Sequence, residues 1–148
     1  MPDLTVHRRQ RILVVDDDPT CRALLDAIFD LHGFDVFSSD AVLGASSLID
    51  GFRPDVILLD LALPYRSGAS WLAELKSRPE TASIPVVILS AMPEMLPRDR
   101  RALAAAVLAK PFRNQTLVET VRSVCIHQTV AVSPPHFDST STPRLGSL

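Results

Sequence analysis

Pro54-Asp55-Val56-Ile57-Leu58-Leu59-Asp60 decides the fold. Four consecutive large aliphatics, with a proline before them and an acid after them, have strand length and no polar face, which is what a strand covered on both sides requires. Working outward, short β-branched runs alternate with helical patterns five times, so the class is α/β with a parallel sheet and crossover helices on both faces. The expected strands are Arg11 to Asp16, Asp35 to Ser38, Asp55 to Asp60, Val86 to Leu89 and Val107 to Ala109. The second is the most polar and reads as a sheet edge. Asp18-Pro19 supplies an N-cap and an N1 proline for a first helix expected to bury Cys21, Leu24, Leu25, Ile28 and Leu31, with Gly33 as its stop. Asp40 is placed to cap a second helix through Leu43, Leu48 and Ile49 to Gly51. A third carries Trp71, Leu72 and Leu75. Pro93 and Pro97 interrupt the segment after Ser90, so a fourth helix is expected only from about Arg98 to Ala105, short or displaced. Phe112, Leu117, Val118, Val121 and Val124 mark the last one.

At 148 residues, with 47% hydrophobic and 22% charged content, the chain fits one globular domain. A net charge of -2 leaves no electrostatic footprint for nucleic acid. The apolar runs are far shorter than a membrane span, and Asp16, Asp17 and Asp18 cut off the run behind Arg8, Arg9 and Arg11 before a signal-peptide core forms; a cytoplasmic location is expected. Cys21 and Cys125 read as core thiols. The four histidines, His7, His32, His127 and His136, read as surface residues that form no metal-ligand pair. From about Gln128 the chain turns to Ser, Thr and Pro without periodicity, as a disordered tail does.

The chemistry lies where the buried runs end. Val14-Val15-Asp16-Asp17, Leu58-Leu59-Asp60, Ile88-Leu89-Ser90 and Leu108-Ala109-Lys110 each put a charged or reactive side chain at a strand terminus. In an open α/β sheet the carboxyl ends of the strands share one edge, so these groups can converge. An acid after four aliphatics is costly unless something compensates its charge, and two more acids beside it repel it unless a cation intervenes. Carboxylate and carbonyl oxygens suit Mg²⁺ or Mn²⁺. With a lysine to neutralise a phosphoryl group, a carboxylate such as Asp60 can act as nucleophile and become an aspartyl phosphate. Asp18 is mainly a helix cap.

In this order, Asp16-Asp17, Asp60 with Leu63-Pro64 and Gly68, Ser90-Ala91 and Lys110-Pro111-Phe112, the chain resembles the receiver domain of two-component response regulators, of the stand-alone chemotaxis type. The resemblance spans roughly residues 10 to 127, leaving 1–9 as an N-terminal arm and 128–148 as the tail. It implies a flavodoxin-like, doubly wound five-stranded sheet of order 2-1-3-4-5 and a cis peptide before Pro111. It makes Asp60 the phosphoacceptor and Asp17 a direct metal ligand. Asp16 is then an outer ligand through water, the Ala62 carbonyl a further ligand, and Ser90 and Lys110 the phosphoryl contacts. It further implies a histidine kinase or histidine phosphotransfer protein as donor, docking near Thr20, Ala23 and Phe112, and an unidentified downstream protein as target. Self-phosphorylation and self-dephosphorylation would be the only catalysis. Ala62 and Met92 neighbour the pocket and bear on water access.

Two departures sit on the output side. Val107 stands three residues before Lys110, where receivers often carry a switching aromatic, and Ala104-Ala105-Ala106 replaces a Gly-containing turn. A degenerate receiver that binds partners without being phosphorylated is the alternative these features support. A further one is Asp16-Asp17-Asp18-Pro19-Thr20, which fits the Asp-x-Asp-x-Thr signature of haloacid-dehalogenase-like phosphatases. That family needs an acidic metal motif after its lysine, and beyond Lys110 only Glu119 and Asp138 remain.

Overall fold

The computed structural model describes residues 9–132, with side chains through Cys125. Five strands form one parallel sheet: β1 (Arg11–Val15), β2 (Asp35–Ser39), β3 (Val56–Asp60), β4 (Val86–Ser90) and β5 (Ala106–Ala109). Their spatial order is β2-β1-β3-β4-β5. The crossovers are α1 (Pro19–Leu31), α2 (Val42–Phe52), α3 (Gly68–Ser77), and a 3-10 turn (Pro93–Met95) followed by α4 (Arg98–Arg101). The final helix α5 (Asn114–Val132) runs past the boundary expected at residue 127. The rest of the expected tail, residues 1–8 of the arm, and His7 and His136 lie outside the described residues.

Side-chain alternation along β1, β3 and β4 sorts the aliphatics into two cores. Ile12, Val14, Val56, Leu58, Val87 and Leu89 face α1 and α5, where Leu25, Phe29, Leu117, Val121 and Cys125 close the layer. Leu13, Val15, Ile57, Leu59, Val86 and Ile88 face α2 and α3, packing on Val42, Ala45, Trp71 and Leu72. Every residue of β3 and β4 is buried. β2 forms one edge, as its polar composition implies, and β5 the other.

The local rules held at both ends of α1. Asp18 caps α1 by accepting the Thr20 N–H at 2.9 Å, and Pro19 is its first residue. Gly33 takes φ +90° just after it, a conformation that favours glycine. The Lys110–Pro111 peptide is cis.

Several expected core and cap residues differ. The buried face of α1 is Leu25, Ile28 and Phe29, while Leu24 and Leu31 are exposed. The apolar pattern fits two neighbouring stripes, and Phe29 selects one by an edge-on contact with Phe34 at 5.4 Å between centroids. Cys21 is only partly buried. α2 buries Val42, Ala45 and Phe52, leaving Leu43 exposed, and Asp40 does not cap it. The Ser39 hydroxyl instead bonds across the entry, donating to the Ala41 carbonyl at 2.9 Å. α4 is shorter than expected, ending at Arg101. His32 is exposed, as read from the sequence.

Candidate functional site

The sheet register lines up the strand ends. Val15 pairs with Leu59, Asp60 with Leu89, and Ser90 with Ala109, so Asp16, Asp60, Ser90 and Lys110 follow one another across the carboxyl edge. The Lys110 N–H donates to the Ser90 carbonyl at 2.8 Å, extending the ladder one residue beyond β5.

Asp16 is 1% exposed and Asp60 8%. Burying two carboxylates this completely requires compensating donors. Asp16 accepts the Asp18 N–H at 2.9 Å on one oxygen and the Lys110 ammonium at 2.8 Å on the other. Asp60 accepts the Ala62 N–H at 3.1 Å and lies 3.4 Å from the same ammonium. One lysine thus bridges acids that are far apart in sequence.

These contacts split the two acids electrostatically. Burial pushes the Asp16 carboxyl up, but the Lys110 ammonium, the Asp18 amide and the Cys21 thiol together hold it below its ordinary value. At Asp60 burial prevails; the Ala62 amide and Lys110 oppose it, Asp16 adds repulsion, and the carboxyl stays above its ordinary value. Lys110 loses some basicity to burial and regains more from the two acids, so it is held protonated. Burial, followed by the Asp16 carboxylate, pushes the Cys21 thiol up to about 11.

Asp17 is exposed, yet carboxylate oxygens of Asp16, Asp17 and Asp60 lie within 4.8 Å of one another. Three hard oxygen donors at this spacing fit a small divalent cation. The Ser90 hydroxyl, on a residue 5% exposed, accepts the Met92 N–H at 3.0 Å. Asp60, Leu61, Ala62, Ser90, Ala91, Met92, Met95 and Lys110 line a cleft of about 340 Å³. Gly68 starts α3 against the backbone of Asp60 and Leu61. A Cβ there would sit 2.3 Å from the Asp60 carbonyl oxygen, so the close return of the loop admits only glycine.

The structure therefore brings together Asp16, Asp17, Asp60, Ala62, Ser90 and Lys110. Thr20 and Ala23 lie exposed on α1, and Phe112 is partly buried against the α1/α5 core. Val107 is partly buried on the opposite layer with α2 and α3. Sequence reasoning missed Met95 as a lining residue and the thiol of Cys21 beside Asp16. The Met92-Pro93-Glu94-Met95 spacing could have revealed the first, because a proline-started turn returns its third residue to the same rim.

Comparisons with known proteins agree on one family. The family model described as "Response regulator receiver domain" matches residues 12–122. PilH of Pseudomonas aeruginosa is 32% identical over 116 residues, covering 77% of this chain and 96% of that protein. The phosphate regulon transcriptional regulatory protein PhoB of Escherichia coli is 33% identical over 117 residues, but the chain spans only 51% of it. The DNA-binding dual master transcriptional regulator RpaA of Synechocystis is spanned to 48% of its length, at 31% identity. Among solved structures, a sensor protein from Polaromonas superposes with a TM-score of 0.76 at 24% identity, covering 81% of this chain and 98% of its own. The chemotaxis protein CheY4 of Vibrio cholerae gives 0.72 at 23%, covering 78% and 98%. The phosphatase alternative is not favoured by these matches.

Proposed function

The chain belongs to the response regulator receiver domain family, and we propose that Asp60 is its phosphoacceptor. It is a signalling domain rather than a classical enzyme. The observation that carries the proposal is the Lys110 ammonium held between Asp16 and Asp60 at the end of β3. In this reading an Asp60 oxygen attacks phosphorus of a phosphohistidine on a separate kinase or phosphotransfer protein, the P–N bond breaks, and the imidazole leaves with its electron pair. Lys110 pairs with the incoming phosphoryl oxygens, and the Ser90 hydroxyl, turning from its present acceptor role, donates to one of them. The Ala62 N–H keeps the second Asp60 oxygen in place during attack.

Receiver domains generally bind Mg²⁺ at an acidic pocket, and here Asp16, Asp17, Asp60 and the Ala62 carbonyl would hold it. Bound, it would neutralise the charge that three acids and a phosphoryl group bring together. The donor would dock on Thr20, Ala23 and Phe112, beside the pocket. Output would pass to a partner protein by shift of the Ser90 to Lys110 segment. The net charge of -2 supports a protein target over nucleic acid. Among the described residues no helix is long and apolar enough to cross a membrane, and we take the site of action to be the cytoplasm.

The test is phosphorylation by acetyl phosphate or a phosphorylated histidine kinase with Mg²⁺, followed by intact mass and acid-stability measurements. Wild type gains one acid-stable, base-labile phosphoryl group and Asp60→Asn gains none. Wild type that takes no label and binds no beryllofluoride would instead identify a phosphorylation-independent module.

A further inference from the structure

Two of the chain's three methionines, Met92 and Met95, stand on the rim of the cleft that holds Asp60 and Lys110. Both are solvent-accessible, at 54% and 68% exposure. They are also fixed there. The Met92 N–H is bound to the Ser90 hydroxyl, the Met95 N–H donates to the Met92 carbonyl at 3.0 Å, and the Leu96 N–H donates to the Pro93 carbonyl at 3.1 Å. Leu96 is buried and Arg101 donates to the Pro93 carbonyl at 2.9 Å, contacts that keep the local shape of the turn within an otherwise lightly anchored crossover.

Among the described residues, the other sulfurs are the two cysteines, and both are poorly placed for oxidants. Cys125 is buried, and Cys21 is partly buried with its thiol against the Asp16 carboxylate. Thiolate character and exposure govern cysteine oxidation, whereas a thioether needs only access. At this site, access belongs to the methionines.

We propose that Met92 and Met95 are an oxidation site through which a peroxide-class oxidant shortens the lifetime of the phosphoryl group on Asp60. The inference rests on the phosphoacceptor reading above. A thioether lone pair attacks one peroxide oxygen, the O–O bond breaks, and sulfur gives up two electrons to become a sulfoxide. The second oxygen takes up the displaced proton and leaves as water. Apart from Asp60, Ser90 and Lys110, the cleft is lined by Leu61, Ala62, Ala91 and the two thioethers. A sulfoxide replaces an apolar wall by a strong acceptor that holds water. Water held at the rim is water next to the acyl phosphate. Because Met92 is bonded to Ser90 through its backbone, the change is applied at the residue closest to the phosphoryl contact.

The experiment treats the full chain with hydrogen peroxide and assigns sulfoxides by peptide mass spectrometry. It then phosphorylates treated and untreated protein with acetyl phosphate and Mg²⁺ and follows loss of label after the donor is removed. Sulfoxide at Met92 and Met95 with a lifetime shortened about threefold or more, a change one net hydrogen bond can make to a barrier, is the expected result. Met92→Leu/Met95→Leu, a volume-conserving pair, should lose the peroxide response relative to its own untreated lifetime. Met92→Gln, polar without oxidant, should shorten the lifetime unaided. An unchanged or longer lifetime in fully oxidised protein overturns the proposal, as does a peroxide response that survives in the Leu pair. If untreated wild type takes no label, the phosphoacceptor reading falls and this inference falls with it; a labelled but insensitive protein sinks the inference alone.

Discussion

The carboxyl edge of the sheet and the crossover from β4 to β5 meet at Ser90 and Lys110, yet they are held by different means. At the edge, Asp16 and Asp60 are buried and each has donors fixed by strand register or by its own following loop. In residues 91–105 Leu96 alone is buried, and the regular structure amounts to one 3-10 turn and the four residues of α4. β5, which this crossover should cover, is correspondingly only part-buried. The contrast separates two requirements on a switch. Chemistry needs charges placed to within a fraction of an ångström, which a rigid sheet edge supplies. Movement needs an element whose anchoring is slight enough to be rebalanced by one local change in charge.

The largest effect that can sharpen this contrast is expected at Lys110. Its ammonium is the common partner of both buried acids, so Lys110→Ala leaves two carboxylates without it. Breaking buried pairs in this way costs about 3–5 kcal/mol. Urea unfolding in metal-free buffer should show that loss, with the slope of the transition unchanged. A loss under about 1 kcal/mol, the range of surface ion pairs, would mean that the edge is no better anchored than the crossover.

Next in size is Leu96→Ala. Removing one buried leucine costs about 2–3 kcal/mol through lost burial and a cavity. Here the distribution matters more than the total. Hydrogen exchange should accelerate at the amides of Met95, Leu96 and Arg100 to Ala104 and stay unchanged at Leu58, Leu59 and Val87. Uniform acceleration over the whole sheet would show that the crossover unfolds only with the domain.

The two regions also differed in how far the sequence disclosed them. Unbroken aliphatic runs ending in Asp60, Ser90 and Lys110 identify strands and put their last residues on one edge, because sheet direction and strand ends follow from pattern alone. Asp18-Pro19 likewise spelled out a helix start. The sequence does not disclose which donors hold the acids. That Lys110 bridges Asp16 and Asp60 depends on the register of four strands, which no local motif encodes. The helix faces were misjudged for a related reason. Leu24, Leu25, Ile28 and Leu31 support two stripes, and only the Phe29–Phe34 contact decides between them. In the crossover, Pro93 and Pro97 announced irregularity, and the ending of α4 at Arg101 went beyond it. Its Ala-rich continuation leaves the helix through short-range bonds, such as Leu103 N–H to the Arg100 carbonyl at 2.9 Å, and is then drawn to the sheet, where the Ala105 N–H donates to the Val86 carbonyl at 2.8 Å.

The smallest predicted effect has the opposite sign and tests whether the edge is tuned for chemistry at the expense of stability. Asp60→Asn keeps the shape while removing a buried charge that repels Asp16, so the metal-free variant should be more stable at neutral pH by about 1 kcal/mol, or about 3 °C in Tm. A carboxyl raised in the folded state holds its proton more tightly there than in the unfolded chain. Its favourable contribution is therefore complete below the unfolded value and is lost as pH rises through the folded one. Asp16, held below its ordinary value, does the reverse: its contribution is present above the unfolded value and disappears as pH falls through the folded one. The advantage of asparagine should thus be greatest near neutrality and shrink as acid protonates Asp60 in wild type, since a neutral carboxyl then resembles the amide. The acid loss due to Asp16 should persist in both proteins. Thermal unfolding of the pair from pH 7 downward in chelator reads both trends at once. An advantage that stays constant with pH would assign it to packing instead of charge, and the edge would lose its claim to carry a strained carboxylate.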